Sequence, residues 1–138
     1  MINSRSLDEL TPDTKAKAEA FKRGCKAEGV DVLITSTYRD SECQASLYAQ
    51  GRTTPGAIVT KATPGHSFHN YRVAFDFVPL LDGKAIWANH DTWEICGKVA
   101  ESVGLDWGGN WEFKDKPHCQ NTQGQSITAL LAGGVHLA

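Results

Sequence analysis

Ser67-Phe68-His69-Asn70-Tyr71-Arg72-Val73-Ala74-Phe75-Asp76-Phe77-Val78-Pro79-Leu80 opens as the end of a loop and closes as a strand. From Val73 to Leu80 the residues are β-branched, aromatic or aliphatic, with Asp76 as the one charge, and that composition predicts a strand. Alternation along a strand sets Val73, Phe75 and Phe77 on one face, toward a core, and Ala74 and Asp76 on the other. An aspartate inside an apolar strand is costly to bury unless it is paired or ligated. The small Ala74 beside it leaves room on that face. A divalent metal held by Asp76 and His69 accounts for these features. So does an ion pair from Asp76 to Arg72 or another base, with His69 an ordinary loop histidine; spacing alone leaves both open.

Working outward, Thr11-Pro12-Asp13 reads as a helix start, with a capping hydroxyl, proline at the first helical position and an early acid. Ala16, Ala18, Ala20, Phe21 and Cys25 follow at roughly helical spacing, and Gly29 ends the pattern. Asp31 to Tyr38 predicts a strand. Asp40 or Ser41 caps a second helix carrying Cys43, Ala45, Leu47 and Tyr48. Residues 51–65 form a loop punctuated by glycine and proline. Beyond the quoted strand come a turn at 81–84, a short return strand at Ala85-Ile86-Trp87 and a third helix over Asp91 to Val103. Ile127 to Leu131 predicts a last helix. Helices and strands are mixed without strict β-α-β alternation, which favours an α+β fold.

The chain has 138 residues, 41% apolar and 22% charged, with a formal net charge of -2. That is enough for one domain with one core, and residues 1–138 are read as a single domain. Nothing in the charge suggests a grip on nucleic acid. No apolar run is long enough to span a bilayer, so no stable membrane insertion is expected. Met1 to Leu10 is polar and lacks a signal-peptide core, so synthesis in the cytoplasm is expected. Cys25, Cys43, Cys96 and Cys119 form no C-x-x-C pair, and reduced thiols are the expectation.

A second informative stretch is Asp115-Lys116-Pro117-His118. A carboxylate three residues before a metal-bound histidine is placed to act as a general base. His69, Asp76 and His118 together would supply three ligands and leave an open position, the pattern of a catalytic rather than a structural zinc.

In order along the chain, Ser67, His69, Ala74 and Asp76, then Asp115 and His118, resemble the signature of the peptidoglycan zinc peptidases. This is the family of the D-alanyl-D-alanine carboxypeptidases and L-alanyl-D-glutamate endopeptidases. Ser36-Thr37-Tyr38-Arg39, then Gln44, Leu47 and Tyr48, are similar to its strand-end arginine and following helix. Trp107-Gly108-Gly109-Asn110-Trp111 resembles its endopeptidase branch, to which the phage endolysins belong. The resemblance implies a small antiparallel sheet with helices packed on one face. It implies zinc on His69, Asp76 and His118, Asp115 as general base, Arg39 near the scissile carbonyl or a substrate carboxylate, and Gln44 and Ser67 as substrate contacts. The implied partner is the peptidoglycan stem peptide, cut at the L-alanyl-D-glutamate bond by a monomer that reaches the wall after the membrane is breached, with residues 1–138 expected to be a single catalytic domain and no separate wall-binding domain. The alternatives are a D-alanyl-D-alanine carboxypeptidase and a non-catalytic zinc-stabilised wall-binding module. A cysteine hydrolase using Cys43 or Cys119 is a further rival, although neither thiol sits where an activated thiolate would. Two positions depart from the family pattern. Arg72 stands where glycine is usual, and Cys119, following the last ligand, is a thiol that could compete for metal.

Overall fold

In the computed structural model, which describes residues 1–138, four helices and five strands surround one core. Helix α1 spans Pro12–Ala27 and strand β1 Asp31–Ser36. Helix α2 spans Ser41–Ala49, with the Asp40 carboxylate accepting from the Cys43 amide at 2.8 Å. Strand β2 (Ala74–Leu81) turns into β3 (Lys84–Ala85), and α3 covers Asp91–Ser102. Strands β4 (Asp106–Trp107) and β5 (His118–Gln120) and helix α4 (Ile127–Ala132) complete the chain. The sheet is antiparallel, ordered β1-β2-β5-β4, with β3 on the end of β2. This is the expected α+β architecture.

The two faces of β2 behave as the alternation predicts. Phe75 and Phe77 are fully buried against Phe21 of α1, with ring centroids 5.6 and 4.9 Å apart, and Phe77 also meets Trp93 of α3 at 5.4 Å. Ala18, Cys25, Cys96 and Ala100 fill the gaps between α1, α3 and the sheet. Each fully buried large apolar side chain contributes about 1.5–3 kcal/mol of transfer free energy, so these aromatics anchor the sheet on its helices. The opposite face of β2 carries Asp76.

Strand β5 is absent from the elements the sequence predicts. It is only three residues long, directly follows Pro117, and forms because β2 and β4 both offer it open backbone groups. Local pattern carries little signal for so short a central strand. In β1, the register slips between Ile34 and Ser36, so Ile34 stands opposite Phe77 while Ser36 stands opposite Asp76. Such a bulge re-aims the side chains beyond it. It turns the end of β1 toward the face that carries Asp76.

Arg72 does occupy a left-handed conformation, with φ 64° and ψ 26°. A side chain there costs on the order of 1–2 kcal/mol. Its guanidinium donates to the Glu9 carbonyl oxygen at 3.0 Å, pairs with the Glu9 carboxylate and stacks on the Tyr38 ring at 3.8 Å. Those contacts hold the strained residue, and the backbone keeps the shape a glycine would give. Arg72 is therefore not the partner of Asp76.

Candidate metal centre

Asp76 and His118 are direct cross-strand partners on β2 and β5. His69 joins them from a single 3-10 turn, Phe68–Tyr71, just before β2. That turn is fixed by a capping box: the Ser67 hydroxyl accepts from the His69 amide at 3.2 Å, and the Asn70 side chain accepts from the Ser67 amide at 3.2 Å. One donor atom from each of His69, Asp76 and His118 lies within 4.8 Å of the other two, and both histidines are buried.

The outer partners of the two imidazoles define which nitrogens face inward. His69 Nδ1 lies 2.7 Å from the Thr37 carbonyl oxygen, which can only accept, so Nδ1 carries the proton. His118 Nε2 lies 2.8 Å from Gln120 Oε1 and donates in the same way. That leaves His69 Nε2 and His118 Nδ1 turned toward Asp76 Oδ1, at 3.2 and 3.3 Å. Two imidazole nitrogens and a carboxylate oxygen converging in a buried pocket are placed to share a cation, either a metal ion or a proton on one of the imidazoles. The donor set, two nitrogens and one oxygen with an open side toward the cleft, suits zinc.

The charges follow from these contacts. Burial pushes His69 toward its neutral form, although Asp76 opposes this. Burial would raise the Asp76 carboxyl, yet the two histidines beside it, His69 foremost, hold it well below the usual carboxylate range. His118 is also disfavoured by burial, but its bond to Asp76 outweighs that and raises its pKa.

Arg39 lies across the same carboxylate. Its Nη2 donates to Asp76 Oδ2 at 2.9 Å and its Nε donates to Ser36 Oγ at 3.1 Å. Ser36 in turn donates to Asn3 Oδ1 at 2.8 Å, which commits its proton away from the guanidinium. Asp76 thus pairs with a base as well as with two histidines, and the base is Arg39. Asp115 reaches the cleft by a separate route. The indole of Trp107 lies between Gly97 and Gly109, where an added Cβ would come within 2.2 Å of the ring, and its Nε1 donates to the Lys116 carbonyl at 2.7 Å. The Asp115 amide donates to Gly108 O at 2.9 Å, and a Cβ on Gly108 would meet the Asp115 carbonyl at 2.3 Å. Glycine is required at 108 and 109 for this close approach. The cleft walls desolvate the Asp115 carboxyl enough to raise its pKa, even though solvent reaches the residue.

His69, Asp76, His118, Asp115, Arg39 and Ser67 all line one cleft of about 510 Å³. Gln44 does not. It is fully buried under the loop, with Nε2 donating to the Ala62 carbonyl at 2.8 Å, so the expectation that it touches substrate is corrected: it braces the cleft wall from behind. The tryptophans divide, with Trp93 and Trp107 in the core and Trp87 and Trp111 exposed along the cleft; the Trp111 ring lies 5.3 Å from that of His118. Cys119 points into the core, away from His118, where burial pushes its thiol pKa up, so it does not compete for metal. Cys43 is buried in α2 and likewise outside the cleft. Neither thiol suits a cysteine hydrolase. Gln120 is the residue the linear reading missed. It shares a face with His118 only because both lie on β5, and that strand was not legible.

A sheet, a His-Asp-His cluster open to a cleft, and an acid on the cleft wall together define a metal-dependent hydrolase. A family profile described as D-alanyl-D-alanine carboxypeptidase matches residues 60–121. The peptidoglycan L-alanyl-D-glutamate endopeptidase CwlK of Bacillus subtilis (strain 168) is 39% identical over 122 residues, covering 81% of this chain and 73% of that protein. The L-alanyl-D-glutamate peptidase of Listeria phage A118 is 35% identical over 124 residues, 85% of this chain and 41% of that one. The fold matches that of the vancomycin resistance D,D-pentapeptidase VanY, solved with Zn(II), at a TM-score of 0.63 and 16% identity, over 91% of this chain and 80% of that one. The chain belongs to this family of zinc peptidases.

Gln120→Ala removes the acceptor that orients His118. Zinc affinity should fall about 10–100-fold, as for other partners of metal-bound histidines. Competition against a chromogenic chelator measures it; an unchanged affinity would remove Gln120 from the site.

Proposed function

We propose that this chain is a zinc-dependent peptidoglycan endopeptidase that cuts the L-alanyl-D-glutamate bond of stem peptides. The observation that carries the reading is the 39% identity to an endopeptidase of that specificity over most of both chains. The cleft agrees with it, because it continues past Trp111 on one side and past Trp87 on the other, leaving room for chain on both sides of a scissile bond.

In this proposal His69 Nε2, Asp76 Oδ1 and His118 Nδ1 hold the zinc. When bound, the zinc supplies a Lewis acid that polarises the scissile carbonyl and makes water easier to deprotonate. Asp115 takes the proton from the attacking water and returns it to the leaving nitrogen. Its raised pKa suits both halves of that transfer. Arg39, held by Asp76 and Ser36 through Nη2 and Nε, keeps Nη1 for the oxygen on which charge develops. Ser67 shapes the turn that presents His69 and offers its outer edge to substrate. Residues 1–138 act as one catalytic domain, as a monomer and without nucleic acid. No helix is long and apolar enough to cross a membrane. The likeness to a phage peptidase supports a lysis role, with the enzyme reaching the wall once the membrane is breached.

Digestion of purified peptidoglycan by the zinc-loaded protein should expose a new glutamate amino terminus. Free D-alanine without that terminus would mean a carboxypeptidase instead, and wall binding without turnover would mean a binding module.

A further inference from the structure

Five of the large apolar side chains left exposed, Ile58, Val59, Trp87, Trp111 and Phe113, border the cleft rather than being scattered over the surface. Phe113 is 75% exposed, Ile58 58% and Val59 57%. Clustered exposure of this kind marks a surface that something else covers. Three of the five join Lys61 and Lys114 around a second trough of about 530 Å³, and Trp111 forms the ridge between that trough and the metal cleft. The two spaces share Val59, Thr60, Ala62, Trp111 and Asp115 as walls, so the trough is a continuation of the cleft.

The direction of the continuation follows from the chemistry. Asp115, which hands its proton to the leaving nitrogen, borders both spaces, whereas Arg39 borders only the metal cleft. The peptide attached to the leaving nitrogen therefore runs toward the trough. In an alanyl-glutamyl stem that side bears free carboxylates, beginning with the glutamate's own. Two ammonium groups meet it there. Lys61 Nζ is poised over the Phe113 ring at 4.4 Å, and Lys114 Nζ donates to the Gly109 carbonyl at 3.3 Å with donors to spare.

We infer that the trough beyond Trp111 binds the carboxylate-bearing peptide on the leaving-amine side of the scissile bond, with Ile58, Val59 and Phe113 packing its chain and Lys61 and Lys114 pairing its acids. This rests on the alanyl-glutamyl endopeptidase reading.

The test uses the zinc-loaded full chain and two synthetic tripeptides, amino-capped L-alanyl-γ-D-glutamyl peptides ending in a diamino acid, one with free carboxylates and one fully amidated. The native protein should favour the free-acid peptide in kcat/KM by roughly fivefold, the scale of well-placed solvent-accessible ion pairs, and added salt should shrink the ratio. The Lys61→Ala/Lys114→Ala double variant should bring the ratio to about one, with the larger loss in kcat/KM falling on the free-acid peptide. A preference that survives in the double variant overturns the inference. So does a native protein that cuts both peptides equally. So does a double variant whose loss appears only on substrates extended on the amino side by a muramyl group. If the native protein cuts no alanyl-glutamyl bond and instead releases D-alanine from a pentapeptide, the endopeptidase reading falls, and this inference with it.

Discussion

Asp115→Ala should keep its zinc and lose activity by about 10²–10⁴-fold, the usual contribution of a positioned acid-base group. His118→Ala should lose both. The difference follows from where the two side chains lie. His118 Nδ1 is one of three donors converging on a buried point, and without it His69 and Asp76 hold a metal through two. Asp115 stands on the wall of the same cleft, outside that donor cluster, and is positioned by its backbone bond to Gly108 and by the Trp107 indole gripping Lys116. Metal content by atomic emission, measured beside turnover on peptidoglycan, separates the roles. Equal zinc loss in both variants would make Asp115 a ligand rather than the base.

The largest loss of stability should come from the reverse side of the same strand. Phe77→Ala removes a ring that touches Phe21 and Trp93 at centroid distances of 4.9 and 5.4 Å and is fully buried. Truncations of this kind cost about 3–5 kcal/mol, counting both lost transfer energy and the cavity left behind. For a domain of this size that lowers Tm by roughly 10–20 °C. Since Asp76 sits next to Phe77 on β2, zinc affinity should weaken as well, whereas Trp111→Ala, at a partly exposed ring on the cleft rim, should leave Tm nearly unchanged. Thermal melts of the two variants check this. A Phe77→Ala protein melting within a few degrees of native would mean that α1 and α3 are not what holds the sheet.

Much of this was legible in the linear chain. Helices α1, α2 and α3 lie where Pro12, the Asp40 cap and periodic apolar positions predicted, because those signals act between residues a few positions apart; the Thr11 hydroxyl, expected as a cap, instead donates to Thr14 Oγ1, and α3 is capped by His90. The two-faced character of β2 was readable from alternation alone: Phe75 and Phe77 could only be core, and Asp76 could only be paired or ligated. His69, Asp76 and His118, which the fold brings together, and Asp115, which lines the same cleft, could also be singled out in the chain, because order along the chain is enough to match a family signature.

The tertiary structure decided what depends on register. His118 faces Asp76 because β5, too short to announce itself, pairs with β2 in one alignment, and a one-residue slip would have put Cys119 at the metal and His118 in the core. The bulge in β1 sets Ser36 opposite Asp76, and Arg39 reaches the same carboxylate from just beyond it. Gln44, expected on the cleft wall, lies beneath it, because the side of α2 that carries it packs under the loop. Gln120 and Asn3 gained roles through hydrogen bonds to partners set by the fold. Residue chemistry and local periodicity are properties of the chain itself. Which distant side chains meet is set by strand register and by the packing of the core behind the sheet.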